Sequence, residues 1–241
     1  MKKSRIMLFG ASAVVFLALL TLIIFFRVSA DKFISFANNP DLIVEPSGIV
    51  ETREFSYRDF DQVHFESIWD VIITEDDNYS ISIKADKALL DELDITKTGK
   101  TVNFSYEKFL KGSSRNSGDF KVYITMPELR IIEFTGMGNV ELLDFSIDQL
   151  DIINSGASNI EAKNVSIEQL NLIINGAANA ELSNIDVVNC HLDISGAANI
   201  ELHMTGGELT GQISGAASVA YSGSVTSESV SISGIGSLER R

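Results

Sequence analysis

The acidic residues of this chain are the first that could do chemistry. Glu141, Glu161, Glu181 and Glu201 recur at intervals of 20, and a column of carboxylates is a candidate cation site. Calcium, however, takes roughly six to eight oxygens around one point, whereas a straight column offers one carboxylate per level. Two carboxylates about 4.8 Å apart repel by only about 0.9 kcal/mol in water. A solvated column therefore tolerates itself without an ion, and the Gly-Gly-x-Gly-x-Asp run of calcium-binding repeats is absent. A second chemistry is acid/base cleavage of a glycosidic bond by paired carboxylates. Its candidates are Glu133, Asp151, His191 and Asp193, with His191 and Asp193 on one strand and one side. No Lys or Arg accompanies them in the repeats, and Ile153 and Ile173 interrupt the same column. There is no Ser-His-Asp order, phosphate loop or His/Cys metal spacing. The expectation is no catalytic, cofactor-binding or metal site and no cofactor.

What positions these residues is a repeat. Gly136, Gly156, Gly176, Gly196, Gly215 and Gly234 each open one phrase, from Gly136-Met-Gly-Asn-Val-Glu-Leu142 through Gly196-Ala-Ala-Asn-Ile-Glu-Leu202 to Gly234-Ile-Gly-Ser-Leu-Glu-Arg240. Self-similarity at a fixed period near 20 is the signature of a solenoid. Within a unit the period is two. Ile132, Ile152, Leu172 and Leu192 form an apolar column before the glycine, as do Phe134, Ile174, Ile194 and Ile213 two residues later. After it, Val140, Ile160, Ala180, Ile200 and Val219 alternate with the glutamates. Such alternation is the strand signature, and nothing between the strands is long enough for crossover helices. Each coil then holds two or three short strands that pair in parallel with their copies, which makes the chain all-β, a parallel β-helix of about 20-residue coils. The glycine fits a bend where φ is positive or where a Cβ would crowd the neighbouring backbone.

Other columns read as packing. Asn139, Asn159, Asn179 and Asn199 suit a ladder of stacked amides. Asn154 stands in an apolar column, either capping a bend or buried with its own partner. Phe145 and Ile147, Val165 and Ile167, and Ile185 and Val187 outline a third segment, introduced by the turn formers Asp144, Asn164 and Asn184. In the last two units that segment is lost, so the final coils should be narrower or looser. Cys190, the single cysteine, aligns with Leu150 and Leu170 as an apolar residue. Trp69, Phe55, Tyr57 and Phe60 crowd the start of the solenoid, as an end cap or as a platform for stacking sugars.

Lys2, Lys3 and Arg5 precede 21 uncharged, mostly apolar residues, 6–26. That stretch is long enough as a helix to cross a bilayer, with the C-terminal part outside by the positive-inside rule. Val28-Ser29-Ala30 offers a signal-peptidase alternative. The organisation expected is a transmembrane or signal helix over 1–30, a linker over 31–47 and the β-helix over 48–241. A helical turn fits within 85–94, and the basic stretch 108–118 reads as a loop. The chain carries 19 basic and 33 acidic residues; the first 32 residues hold 5 and 1 of these, so the remainder has a net charge of −18. That excludes nucleic acid as a partner. The membrane, through the N-terminal segment, and an envelope protein or glycan remain.

Arg53, Phe60-Asp61-x-Val63, Trp69-Asp-Val71, Tyr79-Ser-Ile-Ser-Ile83, Met126-Pro-Glu-Leu129 and the repeated Gly-x-x-Asn-[Val/Ile]-Glu, in this order, resemble the auto-transporter adhesin head family known as the GIN domain. The resemblance covers about residues 50–241. It implies a right-handed β-helix exported to a bacterial envelope. The residues themselves lead to the expectation of a non-enzymatic structural or interaction module, with a polysaccharide-binding or polysaccharide-cleaving domain as the alternative.

Overall fold

The computed structural model describes residues 42–110 and 120–241. The expected anchor, most of the linker and residues 111–118 of the basic loop lie outside them. No described helix is long and apolar enough to cross a membrane. Glu45–Arg241 forms one compact unit. It is all-β, with 70% of the described residues in strands wound as a β-solenoid of about six turns.

Each coil contributes one strand before its glycine and one after. Before it, Ile132, Ile152, Leu172 and Leu192 fall in register; after it, Val140, Ile160, Ala180, Ile200 and Val219 do. All pairings along the repeats are parallel, and both columns are buried. A one-residue slip would exchange these side chains for carboxylates and amides, so the hydrophobic pattern fixes the register. The third segment is present where its apolar pairs exist, with Phe145, Ile147, Val165, Ile167, Ile185 and Val187 all buried. Asp144 and Asn164 introduce it at φ of 62° and 54°, the left-handed turn that Asx side chains tolerate. Between Leu182 and Val187 the register shifts, where the chain passes to the 19-residue units. In the last coil Val230 and Leu238 are only half-buried and Ile232 is exposed, which is the expected loosening.

The repeat glycines do not stand at positive φ. Their reason is crowding. A Cβ on Gly156 would collide with the carbonyl oxygen of Gly136, one on Gly176 with that of Gly156, and one on Gly196 with that of Gly176. These carbonyls accept from the corner amide one coil on: Ala157 N and Ala177 N donate at 2.9 and 2.8 Å, and Ala197 N and Ala216 N continue the series. The glycines are thus stacked in line.

The N-terminal end departs from a simple stack. Ser67 and Asp70 occupy the glycine and asparagine positions, as the sequence suggests, because Met137 pairs with Ile68 and Asn139 with Asp70. The next coil outward comes from later in the chain, however. Thr101–Tyr106 pairs in parallel with Gln62–Phe65, and Lys121–Met126 with Ile68–Glu75. The coil of residues 62–75 therefore lies between the strands Thr101–Tyr106 and Lys121–Met126 on one side and residues 131–143 on the other. Val50–Phe55 is not a coil strand, as a solenoid starting near 48 would require. It pairs antiparallel with Ser80–Asp86, which pairs antiparallel with Lys121–Met126, while Leu93–Thr98 closes the other sheet. Lys87–Leu90 is the expected helical turn. Asp86 caps it by accepting from Ala88 N at 2.8 Å, and Leu89 and Leu90 cover the core.

Two outcomes test this construction. Gly176→Ala should cost about 2–4 kcal/mol, since the obstructing atom is backbone, whereas Gly99→Ala, at φ +59° with open space around it, should cost about 1 kcal/mol; urea melts of both decide. Ile200→Asp should cost more than about 4 kcal/mol by burying a carboxylate, while Glu181→Gln should stay within about 0.5 kcal/mol of the parent.

Candidate functional site

The outward side of the first sheet carries the residues considered for acid/base chemistry. Asp151 Oδ1 accepts from Asn171 Nδ2 at 2.6 Å and from Gln149 Nε2 at 3.3 Å. Asp193 Oδ1 accepts from Gln212 Nε2 at 3.0 Å. His191 Nδ1 shares a hydrogen bond with Thr210 Oγ1 at 3.1 Å. Each is bonded to the residue in the same column of the next coil. Glu133 lies opposite Ile153 on one side and His64 on the other. His64, between coils, meets Asn103 Oδ1 at 3.4 Å and Thr135 Oγ1 at 3.2 Å. The periodicity brings these side chains into columns without converging carboxylates into a cleft.

The second sheet carries the other two columns. Asn159 Nδ2 donates to Asn139 Oδ1 at 2.9 Å, and Asn199 Nδ2 to Asn179 Oδ1 at 2.9 Å. Asn179 Nδ2 turns instead to Glu181 Oε1 at 3.4 Å. The expected ladder is thus two amide pairs separated by one sideways bond. Among the glutamates, Glu141 and Glu161 share Lys163, whose pKa is raised first by its hydrogen bond to Glu141 and then by the carboxylate charges. Arg241 Nη1 meets Glu201 Oε1 at 2.9 Å. The role of Lys163 escaped the sequence reading, although it follows Glu161 by two residues on a strand and so shares its face. Among the described residues no group of three or more His, Cys, Asp and Glu could hold a metal.

Two of the four aromatic residues that crowd the start of the solenoid are interior, as an end cap requires, while Phe55 and Tyr57 stay half-buried. Trp69 and Phe60 are 1% and 0% exposed. Phe104, Phe65 and Phe134 stack along the axis, with centroids 4.7 and 5.0 Å apart, and Trp69 meets Phe104 edge-on at 5.7 Å. These rings widen the first coils, and Gly138 is small because a Cβ there would strike Phe134 Cε1 and Trp69 O, each at 2.8 Å. Asn154 follows Phe134 in the stack. It is fully buried, and its Nδ2 donates to Ala177 O at 2.8 Å and Gly156 O at 3.5 Å. Both sequence alternatives hold, since the amide ties a bend from inside the core. Tyr106, pushed up to about 12 by burial, donates to Ile68 O at 2.8 Å.

One concavity was not foreseen. A groove of about 740 Å³ runs along the corner that follows the glycines. Its floor is Ala157, Ala177, Ala197 and Ala216, its rim is the asparagine column, and Trp69, Tyr106 and Phe120 lie at its N-terminal end. The sequence signal was available in the outward position of those alanines. Ala177, Ala197 and Ala216 are exposed, where packing inside the corner demands nothing of them.

A family model described as "Putative auto-transporter adhesin, head GIN domain" matches residues 59–185, and the chain belongs to that family. Among solved structures, a chain named a putative adhesin from Bacteroides fragilis is 21% identical, with a TM-score of 0.66 over 82% of this chain and 100% of that one. A chain named a putative lipid binding protein from Parabacteroides distasonis is 18% identical, with a TM-score of 0.50 over 83% of this chain and 99% of that one. At these identities the likeness concerns the fold. No curated protein matches the chain.

Cys190 supplies a test of the core. Burial pushes its thiol from 9.0 up to about 12. Because the folded value is raised, the associated stability is fully present below about pH 9 and is lost as the pH climbs toward 12. At pH 8, alkylation of Cys190 should proceed only as fast as the chain unfolds, as mass spectrometry against a denaturant series would show.

Proposed function

We propose that the chain acts as a non-enzymatic, adhesin-like interaction module of a bacterial cell envelope, held at the cytoplasmic membrane by residues 1–30 and displayed outside it through a linker over 31–47. The observation that carries this reading is the use made of Asp151, His191 and Asp193. Each is hydrogen-bonded to the neighbouring coil, so these groups serve as rungs holding the stack. Family membership supports an envelope or surface location. The apolar stretch 6–26 behind Lys2, Lys3 and Arg5 supports the anchor and its orientation, and the resemblance supports right-handed winding. The net charge of −18 beyond residue 32 suits an exposed, self-repelling surface.

Protease added to spheroplasts should degrade 48–241, and protection of that segment would contradict the external placement. A His191→Ala/Asp193→Ala double variant should retain whatever adhesion or envelope phenotype the parent supports. Glycan cleavage by the parent that disappears in a folded double variant would establish the enzyme alternative.

A further inference from the structure

We infer that Glu228 and Arg240 form a charged plug over the last coil, a device that keeps a second copy of the chain from stacking on it. The strand register carries this. Leu150, Leu170, Cys190 and Leu209 make one buried core column, and the next residue in it is Glu228. Leu182, Leu202 and Tyr221 make a second buried column, which Arg240 continues. A charge thus stands at two core-facing positions that the preceding coils fill with Leu, Cys or Tyr. Both charges bear on Tyr221. That residue is 3% exposed and donates its hydroxyl to Glu228 Oε2, while Arg240 Nη2 donates to Gly223 O at 2.8 Å. The Tyr221 phenol is pushed up first by its hydrogen bond to Glu228, and the Arg240 charge acts on it in the opposite sense.

The rest of this coil would otherwise be adhesive. Ser227–Ile232 and Ser237–Arg240 pair with the coil before them and with no described strand beyond, and an unpaired strand edge is a template for another chain. Ile232 and Ile235 are 41% and 89% exposed, and Val230 and Leu238 are half-buried. A coil laid on this edge in register would cover those side chains, but it would also enclose Glu228 and Arg240. Stripping water from either charge costs more than so few apolar contacts return. Inward-pointing charges at an edge therefore forbid stacking while the apolar columns run to the end of the sheet. The other end of the unit is closed by different means, with Leu89 and Leu90 laid over the core.

Analytical ultracentrifugation of the full-length chain in detergent is the test, with the melting temperature of each variant recorded beside it. The parent's association state, including any contribution of its N-terminal segment, should be unchanged by Ile232→Asp. Glu228→Leu/Arg240→Leu should add a self-association at least tenfold tighter than any in the parent, and adding Ile232→Asp should remove it. Ser231→Leu/Glu239→Leu, which places as much apolar surface on the outward side of the same coil, should behave as the parent does. If the core-facing pair of leucines prevents folding, Glu228→Gln/Arg240→Gln, which keeps a hydrogen-bond partner for Tyr221, should still associate at least threefold more tightly than the parent. Three results would each overturn the plug. They are a parent assembly that Ile232→Asp dissolves, a folded charge-free variant that associates no more than the parent, and an outward variant that associates as tightly as the inward one.

Discussion

The structure depends on how closely successive corners approach. Gly156, Gly176, Gly196 and Gly215 each press against the carbonyl of the glycine one coil before, and that carbonyl also accepts the next corner amide; Gly136 presses against Ser67 in the same way. The contact is backbone against backbone, so no rotamer change can relieve an added Cβ. Together with the hydrophobic pattern that fixes the register, this contact keeps the rise constant and the outward columns aligned. A solenoid is stabilised chiefly by nearest-neighbour interfaces, and here the tightest part of every interface is the corner.

Once the corners are in line, the outward side chains are obliged to form columns whatever their chemistry. Asparagines then pair, Asp151 and Asp193 find amides, and Lys163 sits between two glutamates. These exposed bonds are individually weak, on the order of 1 kcal/mol or less. They make a polar surface compatible with stacking, and they consume the groups that a catalytic reading would need free. The alanine column differs. It has no hydrogen bonds to offer, and its smallness creates the groove.

The repeating part was legible because the pattern of period two within a unit of about 20 states both strand direction and register. The buried columns, the alignment of Cys190 with Leu150 and Leu170, and the place of Ser67 and Asp70 in the degenerate coil all followed from it. The order of the N-terminal coils did not, since residues 62–75 acquire their outer neighbour only after Ser80–Asp86 and Leu93–Thr98 have turned back as antiparallel strands. Such long-range pairing leaves no periodic mark, although Val102 and Phe104 do match Val63 and Phe65 in spacing. The burial of Trp69 accords with the end-cap reading, although Phe65, Phe104 and Tyr106 around it come from two strands that no local pattern joins. At the candidate site the columns were readable, whereas the depth of the groove depends on how the corners stack, which alternation alone does not state.

Amide hydrogen exchange resolved to single residues tests the central claim most directly. If corner contacts hold the stack, the amides of Ala157, Ala177 and Ala197 should exchange only through global unfolding, as slowly as those of the buried residues Ile152 and Leu172, despite the exposure of the alanine side chains. Exchange of the corner amides within seconds, beside protected strand centres, would mean that the corners are open and that hydrophobic columns alone maintain the solenoid.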